Sequence, residues 1–384
     1  MVQNQVLVKN IPVLKTGIFG AYYMGLLGLI LGVITGIIAM LVNPVNGIIV
    51  LIVLPILMAI IGFILFALIG YGTRLGLGFC NGYQIDVENE KGVVTWKKIY
   101  TLKGAILSAF QMIVIVFPFS LIGGLIVGLN NIGAGLAMII VIPIFMFIFG
   151  FLFGGLRTFG MSAGLSVAGG LPINIESANG KTTFRGTSAV KYGIVTAIDS
   201  FIIMVVISFF LLIVALMIPD MSATQLGTSS SAMMLGGLSN MLLAAKGIML
   251  LLVVLLPIMG LVFGFISGFL SGFGLNMASK AINGFTVETI VQSTKISLQK
   301  MSILQTGIFV AVFLTFCSVL TIVMQFMAYL FLNNIGMALF AIIFGIIEYL
   351  IIGGIMGLVV AISVNGLKGY DIEGENIDKL VGSA

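Results

Sequence analysis

Few ionisable residues fall inside the long apolar runs of this 384-residue chain, and those few are where chemistry could reside. Glu348 sits in GIIEYLIIGG, about a dozen residues into the last apolar run and so near the middle of a bilayer. A charged side chain at that depth costs about 2.5–3.5 kcal/mol on insertion scales, so it requires a partner, water or a proton. Two readings follow. Glu348 binds a proton or cation, or it is a carboxyl held by a neighbouring helix or facing a bound subunit. Asp199 lies about two turns into the fifth run, with Arg74 and Arg157 at comparable depth. A buried ion pair that sets helix register is the simpler expectation there, beside a second proton or ion site.

The remaining inventory argues against catalysis. The chain has no histidine, which removes the commonest general base and the commonest metal ligand. Cys80 and Cys317 stand in separate hydrophobic runs without metal-ligand company and read as free buried thiols. No catalytic, cofactor-binding or metal set is expected, and the chain reads as non-enzymatic. Lys15, Lys103, Lys191 and Gln305 each open an apolar run and read as interface anchors.

What positions these residues is a membrane. Hydrophobic residues make up 60% of the chain and charged residues 8%, with a mean hydropathy of +1.28. An ordinary soluble domain carries roughly 25% charged residues. Fifty glycines suit helices that approach closely, since packing in lipid relies on small residues. Gly28, Gly32 and Gly36 form one such face, and Gly260, Gly264, Gly268 and Gly272 another. The N-terminal segment is polar with two lysines, and the run from Gly17 is long enough to span, so it reads as a retained first helix.

An internal repeat organises the runs. LKTGIFG at 14–20 matches LQTGIFV at 304–310, and LKGAI at 102–106 and VKYGIV at 190–195 open the intervening units. Pro55, Pro143 and Pro257 each precede a glycine by seven residues and a turn-forming pair by 26: Asn81-Gly82, Gly169-Gly170 and Asn283-Gly284. Short alternating tails ending in an acid follow: YQIDVE, LPINIE and FTVE. The last unit has lost the proline; its pair is read as Asn365-Gly366, followed by YDIE. First helices are expected near 17–42, 104–128, 193–218 and 307–332, and longer second helices near 47–80, 134–168, 247–282 and 336–364. The expectation is an all-α, eight-span protein of four parallel two-helix repeats, at 1–90, 91–180, 181–292 and 293–384. Their pseudo-symmetry axis should run along the membrane normal, in a bundle or ring. An insertion at 219–246 in the third unit is expected outside, its apolar second half lying in the interface or re-entering.

Sixteen of the seventeen Lys and Arg residues fall on one side of this arrangement, Lys246 being the exception. The positive-inside rule then places both termini in the cytoplasm of a multi-pass cell-membrane protein.

The unit, clearest from Pro55 to Gly62 and NGYQIDVE at 81–88, and again from Pro143 to Glu176, resembles small prokaryotic two-helix membrane proteins of unknown function. Those end in a glycine-containing turn and an acidic tail. The resemblance implies the fold of the unit and carries no activity.

Three functions are compared. A structural or accessory subunit of a larger membrane complex is expected from the missing chemistry and small-residue helix faces. Its partners would be membrane lipids and other membrane subunits, not nucleic acid, with the 219–246 loop a candidate contact surface. A proton or cation carrier would need polar residues converging at mid-depth, where Glu348 stands almost alone and Gln325 lies nearer the outer end. A membrane enzyme lacks residues to carry it. Water decides between them: a carrier or enzyme must bring it to Glu348 or Asp199.

Overall fold

Helices that are apolar on every face cannot choose a side by amphipathicity, so packing here is decided by where side chains are absent. The computed structural model describes residues 4–90, 92–218 and 230–382. Within them lie helices α1 (Val13–Val42), α2 (Pro44–Phe79), α3 (Thr101–Gly128), α4 (Ile132–Val167), α5 (Ala189–Met217), α6 (Ser230–Ala281), α7 (Ile303–Phe331) and α8 (Ile335–Gly366). All eight are long and apolar enough to cross a membrane. The chain is thus a multi-pass helical membrane protein, with spans close to those expected. Pro55, Pro118, Pro143 and Pro257 are carried inside continuous helices.

Consecutive helices pair as hairpins along glycine seams. Gly20 and Gly62 face each other so closely that a Cβ on either would strike the other's carbonyl oxygen. At the far end of the second hairpin, a Cβ on Gly124 would lie 2.7 Å from the Gly135 carbonyl oxygen. The tight far turns are closed by asparagines: Asn43, Asn131 and Asn334 each cap the second helix of their hairpin by accepting from its first backbone N–H groups. The hairpins stand in a ring in which α2 meets α3, α4 meets α5, α6 meets α7 and α8 meets α1. Between hairpins, the close glycine approaches fall near one end: Gly72 and Gly76 against α3, Gly160 and Gly164 against α5, Gly274 against α7, and Gly366 against Tyr22. Toward the other end many of the described apolar side chains are exposed. In α8, Ala338, Ala341 and Gly345 are buried while Leu339, Phe340, Ile343, Phe344, Ile346 and Ile347 are exposed.

At the end where the hairpins meet, the fold departs from the all-helical expectation. Eight strands form a closed antiparallel barrel in chain order: β1 (Asn4–Asn10), β2 (Tyr83–Glu90), β3 (Val93–Ile99), β4 (Leu171–Ala178), β5 (Lys181–Thr187), β6 (Phe285–Gln292), β7 (Lys295–Met301) and β8 (Tyr370–Glu375). The acidic tails are β2, β4, β6 and β8, and the polar lead-ins between spans are β3, β5 and β7. Closure removes the unpaired edges that such short strands would otherwise leave. Each helix hairpin rises between two neighbouring strands. The three strand hairpins share one register, with a bulge after Asp86, Asn174 and Glu288, and the β1–β8 pair that closes the ring has a shift between Val8 and Asn10.

A barrel of eight strands has room inside for side chains alone. Val6, Val87, Val94 and Ile296 fill it, and a terminal 3-10 turn, Ile377–Val381, stops the rim away from the helices with Ile377 fully buried. Lys9 pairs with Glu375, Lys97 with Glu88 and Arg185 with Glu176 on the outer surface.

Two further expectations are corrected. Asn365-Gly366 is not the fourth turn: it ends α8, and the left-handed pair is Lys368-Gly369, at φ 49° and 107°. Asn365 instead holds both backbone groups of Met301, at 2.8 and 2.9 Å, as Asn276 holds those of Thr187. For the 219–246 segment, residues 219–229 lie outside the described residues. From Ser230 the chain is already in α6, so 232–245 continues that helix rather than forming an element of its own. Lys246 donates to the Ile218 carbonyl at the hairpin end remote from the barrel.

Candidate functional site

The site is built where α4 and α5 leave the barrel. Seventeen residues after Pro55, Pro143 and Pro257 stand Gly72, Gly160 and Gly274, each of which lets the next hairpin approach. Eight residues after each run-opening Lys or Gln stand Tyr23, Gln111, Asp199 and Phe313. The two sets meet. At α2–α3, Gly72 lies on the Gln111 backbone, and Gln111 donates to Thr73 Oγ1 at 2.7 Å. At α6–α7, Gly274 lies against Phe316, and Ser271 and Cys317 approach to 3.4 Å. At α4–α5, Gly160 lies against Asp199, where a Cβ would sit 2.5 Å from Oδ1.

Asp199 Oδ1 is buried there and has no hydrogen-bond partner among the described residues. Leaving such an oxygen unpaired costs about 1–3 kcal/mol, more if it is charged. Beside it opens a cavity of about 300 Å³. Its charged lining is Asp199 and Arg157; Tyr192, Trp96 and Thr196, whose hydroxyl donates to the Tyr192 carbonyl, add polar groups. Its walls are Trp96 and Ile99 of β3, Leu171 and Ile173 of β4, Met161 and Leu165 of α4, and Tyr192 and Val195 of α5. Ile99, Leu165, Leu171 and Val195 also form the small core that joins helices to barrel. The cavity therefore runs from the barrel junction about three turns up the helices, as far as Asp199 of α5.

The charged residues singled out in the sequence separate in space. Arg157 and Asp199 line the same cavity on adjacent helices, but no ion pair joins them among the described residues. The expected buried pair is corrected to two groups facing a shared space. Arg74 is exposed on α2 and forms no ion pair with Asp199. Glu348 is exposed on α8 beside the buried Gly345 stripe, without hydrogen bond or ion pair among the described residues; Gln325 is likewise exposed on α7. The glycine faces all serve hairpin seams. Gly28 and Gly32 meet Met58 and Pro55, Gly36 meets Gly47, and Gly260, Gly264, Gly268 and Gly272 run along Met204, Ser200, Thr196 and Ala189. Cys80 and Cys317 are free thiols. The described residues include no group of three potential metal ligands.

Trp96 and Tyr192 were not singled out from sequence. Their signal was modest: the chain's single tryptophan lies in a polar lead-in, and Tyr192 in a run-opening motif.

Helical hairpins on a closed strand collar define the class: a multi-pass helical membrane protein with a stoppered eight-stranded barrel at one end of its bundle. Comparison with known proteins adds no family, since no family model, curated protein or solved structure matches the chain.

Proposed function

We propose that this chain is a non-enzymatic structural or accessory subunit of a larger membrane complex. The observation that carries the reading is Glu348. It lies deep in an apolar span, is exposed, and has no partner among the described residues. A carboxylate so placed calls for a group from outside the hairpin. The bare halves of the hairpins support the same view, because they offer apolar clefts into which helices of another chain could fit while the barrel holds the hairpin bases in place.

The proposal includes a history and an orientation. The four strand–helix–helix–strand segments are copies of one unit, arranged about an axis along the membrane normal. The cationic barrel end faces the cytoplasm, following the positive-inside rule. A proton or cation carrier would need polar groups at Glu348's depth to relay its cargo; Gln325 is nearer the outer end, and Asp199 is nearer the barrel, about three turns into α5.

Extraction of the native protein in a mild detergent, followed by sizing and identification of co-migrating chains, tests the reading. Stoichiometric company well above the chain's own 40.7 kDa supports it. A lone monodisperse species carrying only lipid and detergent overturns it.

A further inference from the structure

We propose that the α4–α5 cavity binds the headgroup of an aminophospholipid, its ammonium donating to Asp199 and its phosphate held by Arg157. The inference stands apart from the accessory-subunit reading. It rests on a match between the cavity's needs and one headgroup chemistry.

Asp199 Oδ1 is buried and unpartnered among the described residues, so an occupant must bring a donor. Arg157 is permanently cationic and lines the same space, where it acts on Asp199 electrostatically but forms no ion pair among the described residues, so its guanidinium donors are open to an anion brought by the occupant. A ligand carrying an N–H-bearing ammonium and a phosphate supplies both, and leaves no net charge when added to one carboxylate and one guanidinium. A choline headgroup has no N–H to give, and a glycerol headgroup brings no cation. The remaining walls are apolar or aromatic, Trp96 and Tyr192 carrying an indole N–H and a phenol O–H that can serve the phosphate as donors. A volume of about 300 Å³ accepts a headgroup but not two acyl chains, which would stay among the exposed apolar side chains of the spans.

The position favours a lipid over a soluble zwitterion. The cavity opens between the barrel rim and the barrel-side part of two spanning helices, within reach of the headgroup layer on that side. It also distinguishes this junction from its neighbours. The residue in the place of Asp199 is Gln111 at α2–α3, already bonded to Thr73, and Phe313 at α6–α7, which offers no acceptor side chain.

Trp96 is the only tryptophan in the chain and lines the cavity, so its emission reports occupancy directly. The full-length protein, stripped of lipid in detergent, is titrated with short-chain phosphatidylethanolamine, phosphatidylcholine and phosphatidylglycerol, and with free phosphoethanolamine. The expected result is a saturable change in emission with the ethanolamine lipid at the lowest concentration. Loss of one charge-assisted hydrogen bond should weaken it about tenfold or more in Asp199→Asn and in Arg157→Gln. Equal binding of the choline or glycerol lipid overturns the assignment to Asp199. Equally tight binding of phosphoethanolamine overturns the lipid source, and no saturable response overturns the site. Should either variant elute as aggregate, lipid carried through purification of the wild-type protein decides instead. Phosphatidylethanolamine enriched over its share of the membrane supports the proposal, and lipid in membrane proportions overturns it.

Discussion

Replacing Asp371 by Asn should loosen the seam at which the barrel closes. Asp371 on β8 accepts from Ser297 at 2.6 Å and pairs with Lys15 at 3.0 Å and Lys295 at 3.3 Å. It therefore ties the last strand both to β7 and to the start of the first helix. The Ser297 hydrogen bond and the two ammonium groups, against a smaller opposing effect of burial, hold its carboxyl down from 3.8 to about 2. A displacement of that size corresponds to about 2.5 kcal/mol, at about 1.36 kcal/mol per tenfold change. The side chain is 22% exposed and the two lysines 33% and 38%, so solvent screening reduces this to about 1 kcal/mol. The folded value is the lower one. The contribution is thus fully present well above 3.8 and fades as pH falls toward about 2. At pH 7 the amides of 4–10 and 370–375 in Asp371→Asn should exchange about fivefold faster than in the wild type, while those of 83–99 are unchanged. The stability difference between the two proteins, followed by denaturation in detergent, should shrink on acidification from pH 5 to 2. No acceleration at pH 7, or an equal difference at pH 2 and pH 7, would refute the reasoning.

Other outcomes follow from the packing. Gly62→Ala should cost about 1–3 kcal/mol, because its Cβ meets the Gly20 carbonyl and Met24. Gly78→Ala, with nothing within 4 Å, should be neutral or stabilising by up to about 1 kcal/mol; equal effects in thermal unfolding would dismiss the seam argument. Ile377→Ala should destabilise the barrel by about 2–5 kcal/mol, read as faster amide exchange in β1, β2 and β7. Glu348→Leu should leave the chain folded, lower the yield of any co-purifying chain and leave proton flux in liposomes unaltered. Wild-type flux that the variant abolishes would favour the carrier instead.

The helices were legible because their signals are local. Apolar runs of spanning length, prolines inside them and glycines every fourth residue are all visible within one segment. The barrel was not, although half of its pattern lay in view. In VVTWKKI, Val94 and Trp96 point inward and Thr95 and Lys97 outward, yet so short an alternation, broken by a bulge before Ile99, does not say with what it pairs. The partners are distant: Asn4 pairs with Val87 and Leu7 with Glu375. The misplaced fourth turn has a related cause. Asn365-Gly366 has turn chemistry by composition, but the left-handed backbone falls at Lys368-Gly369, where the strand register requires it. The shared depth of Asp199 and Arg157 was legible from helix position. That Gly160 would admit the carboxylate, and that Trp96 would stand opposite, depended on the meeting of two helices and two strands.

Because β1 and β8 are neighbours in a closed ring, the chain has no privileged starting point. Its two ends meet at a seam whose backbone pairing resembles the three covalent strand hairpins. A gene opened at the Asn179-Gly180 turn, its old ends joined by a linker that spares Ile377, would encode the same ring of helices read from another origin. For a membrane protein this changes the order in which hairpins reach the bilayer while keeping every neighbour relation. The present N-terminal strand must wait for residue 375 to be made before the ring can shut, whereas such a permutant would shift that wait to a different strand.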